Sequence, residues 1–236
     1  PDTIYWPSSY NMEYIMKLSE KTLSILKSFS TINPSIKINQ GSTLSTISPT
    51  KNILAKTSIE EDFEKMFCIY DLPQFLATLS MLKDAEIELR DSDAVISSGR
   101  QKVVFRFADE SMIKVTVPSK EINFPNPEVS FELKSEDLSS VIKATGVLGL
   151  PEIAVAGEDG KLYIRAINTK DVGTNKFDIE LGETDQTFVA VIKPEYLSKL
   201  ISGNYQVDIS SKLISRFTGD DITYWVCLEA DSSSFE

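Results

Sequence analysis

The chain has 236 residues, a mass of 26.3 kDa and a formal net charge of −11. Its 42% hydrophobic and 25% charged residues are an ordinary globular mix, enough for one large or two modest domains. No apolar run approaches the ~18–20 residues of a membrane-spanning helix, and the absence of histidine excludes Ser-His-Asp triads, Cys-His dyads and His-ligated metal. Cys68 and Cys227 stand far apart without a CxxC, so they read as buried reduced thiols. Acidity on this scale argues against nucleic-acid binding until the charges are placed.

In chain order, Pro1–Ile15 shows no periodicity, and it lacks the basic start and apolar stretch of a secretory signal. Met12-Glu13 must be encoded ATG-GAR, which contains GGA, and Tyr14 and Ile15 put six nucleotides between those codons and Met16. That is the layout of a ribosome-binding sequence before a start codon, so residues 1–15 are expected to be a non-native or disordered leader.

A helix is predicted over Ser19–Phe29, with the Ser19 hydroxyl at the N-cap. A strand follows at Ser35–Asn39. Pro73–Leu82 reads as a second helix, because proline fits a first turn where its missing amide would be unpaired. Strands are predicted at Ala85–Leu89, Ala94–Ser97 and Val103–Phe107. Residues 118–127 hold three prolines and read as an extended connector. A third helix, Ser135–Thr145, is given Ser135 as its cap. Strands Ile153–Ala156 and Lys161–Ala166 flank the turn Glu158-Asp159-Gly160. Strands at Phe177–Leu181 and Phe188–Ile192 lead to a fourth helix at Pro194–Ile201. Tyr205–Ser210, Leu213–Phe217 and Thr223–Leu228 are the closing strands.

The order repeats. Phe67 and Phe188, Pro73 and Pro194, and Leu79 and Leu200 are each 121 positions apart, while Ser19 and Ser135, and Lys27 and Lys143, are each 116 apart. Two similar offsets from independent segments make this a duplication. The expected fold class is α+β: two copies of one domain, residues 16–117 and 128–236, joined by the connector 118–127. Each copy is antiparallel sheet covered by two short helices.

The four helices and their entries carry Lys17, Lys21, Lys27, Lys83, Lys134, Lys143, Lys193 and Lys199 against only Glu20, Glu136, Asp137 and Glu195. The helical layer is therefore positive in an acidic chain. Other features read as structural. Glu60-Glu61-Asp62 and Asp220-Asp221 suggest a solvated acidic surface near loops rather than a metal site. Gly146–Gly149 marks the end of a helix, since a phosphate cradle would precede one. Phe67, Phe75, Phe188, Tyr196 and Trp225 read as packing.

Met16-Lys17-Leu18-Ser19, Ile69-Tyr70-Asp71-Leu72, Phe124-Pro125 and Leu228-Glu229-Ala230-Asp231-Ser232, in this order and on a duplicated chain, resemble the T-even-type phage DNA polymerase sliding clamps, the processivity factors. The resemblance covers Met16–Glu236. It implies a non-enzymatic homotrimeric ring around duplex DNA, with helices lining the hole and sheets outside. The eight lysines would then face phosphates without reading sequence. The ring would need an ATP-dependent clamp loader while carrying no cofactor or metal itself, would tether the replicative DNA polymerase, and would work in the cytoplasm of the infected bacterial host, away from membranes. Subunits would join by edge-strand pairing between Val103, Val104, Phe105 and Phe107 of one copy and Phe177, Ile179 and Leu181 of the next. A partner peptide would lie in an apolar pocket of Ile122, Phe124, Pro125, Leu228 and Ala230. Rival readings from the residues alone are a monomeric β-rich protein-binding adaptor and an enzyme using carboxylates or lysine.

Overall fold

A computed structural model describes residues 14–236. The first half runs β1 (Ile15–Met16), α1 (Glu20–Ile32), β2 (Ile36–Ile38), β3 (Gly41–Ile47), β4 (Ile53–Phe63), β5 (Phe67–Ile69), α2 (Leu72–Met81), β6 (Glu86–Leu89), β7 (Asp93–Ser98) and β8 (Gln101–Arg106). The second runs β9 (Val129–Leu133), α3 (Ser135–Leu148), β10 (Glu152–Glu158), β11 (Lys161–Ile167), β12 (Phe177–Glu183), β13 (Phe188–Ile192), α4 (Pro194–Leu197), β14 (Tyr205–Ser210), β15 (Ile214–Thr218), β16 (Ile222–Cys227) and β17 (Ser234–Phe235). The leader expectation falls mostly on residues 1–13, outside the described residues. Tyr14 and Ile15, which the sequence placed with the leader, join the fold. The Tyr14 hydroxyl donates to the Asp62 carbonyl at 2.9 Å, and Ile15 pairs with Glu88 on β6.

Helix α1 buries Thr22, Ile25, Leu26, Phe29 and Ile32, the three-and-four spacing of one helical face. Ser19 caps it, accepting from the Thr22 amide at 3.2 Å. Glu61 reinforces the cap from β4. Its carboxylate accepts from the Ser19 amide and the Thr22 hydroxyl, both at 2.5 Å. Glu60-Glu61-Asp62 thus lies at the end of a strand, and Glu61 is drawn from solvent to satisfy orphan donors of a helix terminus.

In α2, Asp71 is the cap, accepting from the Gln74 amide at 2.9 Å, and Pro73 sits in the first turn as expected. The third helix departs from expectation at its start. Lys134 occupies the cap without a side-chain bond, and the Ser135 amide is satisfied by Asn204 at 2.9 Å. Gly149, with φ of 64°, ends this helix in the left-handed region, where glycine carries no Cβ penalty. The fourth helix shrinks to one turn. Beyond it the Lys199 carbonyl accepts from Ser28 of α1, and the Ile201 amide donates to the Tyr224 hydroxyl, so the groups that would extend the helix bond elsewhere.

The strands form a four-stranded sheet β1-β6-β7-β8, a five-stranded sheet β12-β11-β10-β13-β17, a six-stranded sheet β3-β4-β16-β15-β14-β9 and a small pair β2-β5. Strands β1, β3, β4, β5, β9 and β17 are absent from the sequence expectation. They matter because β4 pairs antiparallel with β16, Ala55 opposite Tyr224 and Thr57 opposite Ile222, fusing the two halves. Tyr224, fully buried, lies opposite Phe217 on β15 with its ring 6.1 Å from that of Tyr205, in the same core as Phe29 and Leu26. Asp159 and Gly160, with φ of 50° and 79°, make the tight β10–β11 hairpin turn.

Replacing Glu61 with Ala removes two charge-assisted bonds from the start of α1, so a loss of about 1–2 kcal/mol in denaturant unfolding is expected. Burial opposes ionisation of Glu61, but the Ser19 and Thr22 donors outweigh it and hold its carboxyl below 4.5. This contribution is present above the unfolded value and lost as pH falls through the folded one. The variant is therefore expected to show a shallower stability loss below about pH 4.5, which unfolding curves at several pH values would measure.

Candidate nucleic-acid interface, strand edges and connector cleft

The exposed side of α1 carries Lys21, Ser24, Lys27 and Thr31 in one stripe opposite its buried face. Helix α3 exposes Lys143 in the same sense, whereas the exposed positions Gln74, Ala77 and Ser80 of α2 are uncharged. The positive charge thus lies on α1, α3 and the turns, not evenly on four helices. Three of the eight lysines already hold carboxylates: Lys17 meets Glu86 at 3.6 Å, Lys21 meets Asp221 at 2.6 Å and Lys193 meets Glu229 at 3.8 Å. The hydrogen bond from Lys21 to Asp221 raises the lysine pKa, and the Glu229 charge does the same for Lys193. Lys27, Lys83, Lys134 and Lys143 are exposed and make no ion pair among the described residues, while Lys199 is half-buried. Unpaired, long-stemmed cations suit weak contact with phosphates, because no competing carboxylate must be displaced. Asp221, the partner of Lys21, is accordingly engaged and not free acidic surface.

Strand β8 is one edge of the four-stranded sheet, with the two-residue β1 at the other, and β12 is one edge of the five-stranded sheet, with the two-residue β17 at the other. On β8, Phe105 turns inward against Phe75 at 5.1 Å, and Phe107, just past the strand end, stacks on Phe67 at 4.8 Å. Val103 packs on the same core, and Val104 faces outward, 49% exposed. Phe177, Ile179 and Leu181 of β12 likewise pack inward. The two edges carry opposite charge. Lys102 and Arg106, with Arg100 beside them, lie on β8, and Asp178, Glu180 and Glu183 lie on β12. Val147 at the end of α3 and Met81 at the end of α2 are apolar yet 73% and 64% exposed.

Residues 114–127 form no helix or strand and cross the face of the six-stranded sheet turned away from the helices. On that face a row runs across five strands: Leu54, Trp225, Arg216, Asp208 and Ser130. Arg216 donates to Asp208 at 2.7 and 3.0 Å, Ser130 donates to the other Asp208 oxygen at 2.6 Å, and the Phe124 ring lies 4.6 Å from the guanidinium. Phe124 therefore pins the connector to the sheet.

Between the connector and β2–β3 lies a cleft of about 890 Å³, floored by Lys56, Arg216, Thr223 and Trp225 and roofed by residues 115–122. Of the five residues assigned to the partner pocket, only Ile122 lines it. Leu228 is 5% exposed and packs into the core, because the strand alternation that buries Tyr224 and Val226 also buries Leu228. The same alternation turns Trp225 outward, a signal legible in the sequence but read there as plain packing. Ala230 is exposed beyond the strand, and neither it nor Pro125 lines the cleft. Cys68 is buried and Cys227 only half-buried; both are free thiols. Among the described residues no group of three or more acidic or thiol side chains is placed to hold a metal.

Replacing Arg216 with Ala leaves Asp208, 7% exposed, without its counter-charge and frees the Phe124 ring. A stability loss of about 2–3 kcal/mol is expected in denaturant unfolding, together with faster proteolysis within residues 114–127.

Residues 17–114 match the family described as DNA polymerase processivity factor, and residues 130–230 match the gp45 sliding clamp, C terminal. The chain is 34% identical to the sliding clamp of Vibrio phage KVP40, over 91% of this chain and 100% of the relative. It is 32% identical to that of Enterobacteria phage T4, over 92% of this chain and 99% of the relative. Among solved structures, Archaeoglobus fulgidus PCNA with the C-terminal region of FEN-1 bound shares the fold at a TM-score of 0.64 and 14% identity, covering 91% of this chain and 97% of that one. With both halves matched and relatives aligned over nearly their whole length, the chain belongs to the sliding-clamp family of T4-like phages, as a non-enzymatic DNA polymerase processivity factor.

Proposed function

We propose that three copies of this chain join head to tail into a closed ring, through pairing of β8 in one copy with β12 in the next. The observation that carries the reading is the junction inside the chain. Strand β16 lies 121 positions after β8, and β12 holds in α3-β10-β11-β12-β13 the place that β4 holds in α1-β2-β3-β4-β5. Within the chain β4 and β16 pair with each other. Their repeat counterparts, β12 and β8, each end a sheet and have no partner on their outer side among the described residues. Joining them between copies repeats one junction, and a heterologous contact of this kind closes into a ring when the rotation permits. Opposite charge on the two edges favours this pairing over β8 with β8 or β12 with β12. Val147 and Met81 gain cover at the same junction, as α1 and the turn after α4 do within the chain.

In this ring the helices line the bore, and Lys27, Lys83, Lys134, Lys143 and Lys199 face duplex DNA while the acidic sheets face out. Retention is topological, so the contacts can be weak and slide. The polymerase is held by a segment seated under the connector; A. fulgidus PCNA, which shares the fold, has the C-terminal region of FEN-1 bound. An ATP-dependent loader opens the ring in the cytoplasm of the infected cell.

Light scattering is expected to give about three times 26.3 kDa for the wild type. Val104→Pro or Ile179→Pro, each removing an edge donor or distorting the ladder, is expected to shift the mass towards that of one chain. Both variants remaining trimeric on dilution would contradict the edge assignment.

Binding to duplex DNA is expected to weaken when Lys27, Lys143 and Lys199 become Ala together. The slope of log affinity against log salt should flatten by about 0.9 for each phosphate that is no longer neutralised. Lys21→Ala alone is expected to change little, since Asp221 already occupies that cation. Titration of a labelled duplex at several salt concentrations measures both.

A further inference from the structure

One ion pair bridges the junction inside the chain. Lys21, in the first turn of α1, meets Asp221 in the turn between β15 and β16 at 2.6 Å. That turn is fixed from the junction itself, because the Thr57 hydroxyl on β4 donates to the Asp221 carbonyl at 2.7 Å. Asp221 directly precedes Ile222, which pairs with Thr57. Helix α1 packs on β4, and the turn leads into β16. The contact thus ties the helix lying on one junction strand to the hairpin that supplies the other.

Both positions have counterparts in the other repeat. The β7–β8 hairpin pairs Ile96 with Val103, and β15–β16 pairs Phe217 with Tyr224, each partner 121 positions further on. That register carries Asp221 onto Arg100, in the turn before β8. Helices α1 and α3 align at 116: Thr22, Ile25 and Phe29 are buried in the first, and Leu138, Val141 and Thr145 in the second. That register carries Lys21 onto Asp137, in the first turn of α3. Helix α3 packs on β12 as α1 packs on β4. The counterpart pair therefore has both its members, with the charges exchanged. Within one chain they do not meet. Arg100 is exposed, Asp137 is half-buried, and neither makes an ion pair among the described residues.

We propose that Arg100 of one copy pairs with Asp137 of the next, taking at each junction between copies the place that Asp221 and Lys21 hold within the chain. This deepens, and rests on, the reading that β8 and β12 join head to tail. The exchanged charges also sort the two kinds of junction. A β7–β8 hairpin set against α1 would bring Arg100 to Lys21, and a β15–β16 hairpin set against α3 would bring Asp221 to Asp137. Each is a like-charge contact, which penalises the wrong partner. Phosphate of the enclosed DNA is the other anion an exposed arginine could take, but it would leave Asp137 without a cation.

A charge exchange tests this. Solution mass is followed by light scattering on dilution at low salt for wild type, Arg100→Asp, Asp137→Lys and the double variant, which copies the Asp221–Lys21 pair. Either single change is expected to weaken each junction about two- to fivefold, the range of an exposed ion pair, so that the ring dissociates at higher concentration. The double variant should recover most of that loss, and added salt should narrow the differences. Because the two residues do not pair within a chain, recovery on combining the changes reports a contact between copies. Asp137→Lys also removes an acid from the first turn of α3, but a loss of helix stability from that cause is not repaired by Arg100→Asp. If thermal midpoints show that Asp137→Lys does not fold, Arg100→Gln and Asp137→Asn, alone and together, give the same comparison: the two together should cost no more than either alone. Losses that simply add in the double variant, or single variants that assemble like wild type, would overturn the proposal while the ring reading stands. Arg100→Asp that leaves assembly unchanged but weakens binding to a labelled duplex would place Arg100 on DNA and overturn it as well. A wild-type chain that stays single at every concentration would defeat the ring reading itself, and the proposal with it.

Discussion

The pairing of β4 with β16 is the constraint on which the rest depends. It joins the halves into one six-stranded sheet and fixes the angle between two copies of the same domain. The inner face of this junction is closed by Tyr224, which also accepts from the Ile201 amide and so ties the sheet to the turn after α4. On the other face the same strands set out the row of Trp225, Arg216 and Asp208 that carries the connector. One junction therefore positions both the helical layer and the connector cleft.

A protein can be acidic overall and still attract DNA if the charges are sorted by layer. Here the sorting follows from packing. The sheets expose alternate residues on their outer faces, where carboxylates accumulate, and α1 and α3 expose a narrow stripe with lysines in it. The acidic residues that do enter the helical layer, Glu20, Glu136, Asp137 and Glu195, all lie in first turns, where they complement the helix dipole. Ion pairs then grade the lysines: Lys21 is engaged with Asp221, while Lys27 and Lys143 are exposed and make no ion pair among the described residues.

Much of the fold was legible in the sequence because the repeat is anchored by residues with strong local meaning. Pro73 and Pro194 mark helix starts, and Phe188–Ile192 and Tyr205–Ser210 are strands at the bounds their patterns predict. Strand β3 was missed because Gly41-Ser42-Thr43 and Ser45 give it little apolar alternation, and β4 because Glu60-Glu61-Asp62 at its end resembles a loop. The truncation of α4 was invisible because it depends on Ser28, far away in the chain. The cleft was misjudged for a similar reason. The apolar letters of the connector suggested a match with Leu228, but strand parity sends Leu228 inward, and only the cross-strand row brings Trp225 and Arg216 beneath the connector.

The central claim is that the junction inside the chain is repeated between chains. Hydrogen exchange at β8 and β12, followed as the protein is diluted, tests it without any substitution. The account requires the amides of both edges to be protected together at high concentration and to lose protection together as the assembly dissociates. Protection at β4 and β16, which pair within the chain, should stay constant over the same range. An assembly whose β8 and β12 amides exchange as freely as those of the isolated chain would contradict it.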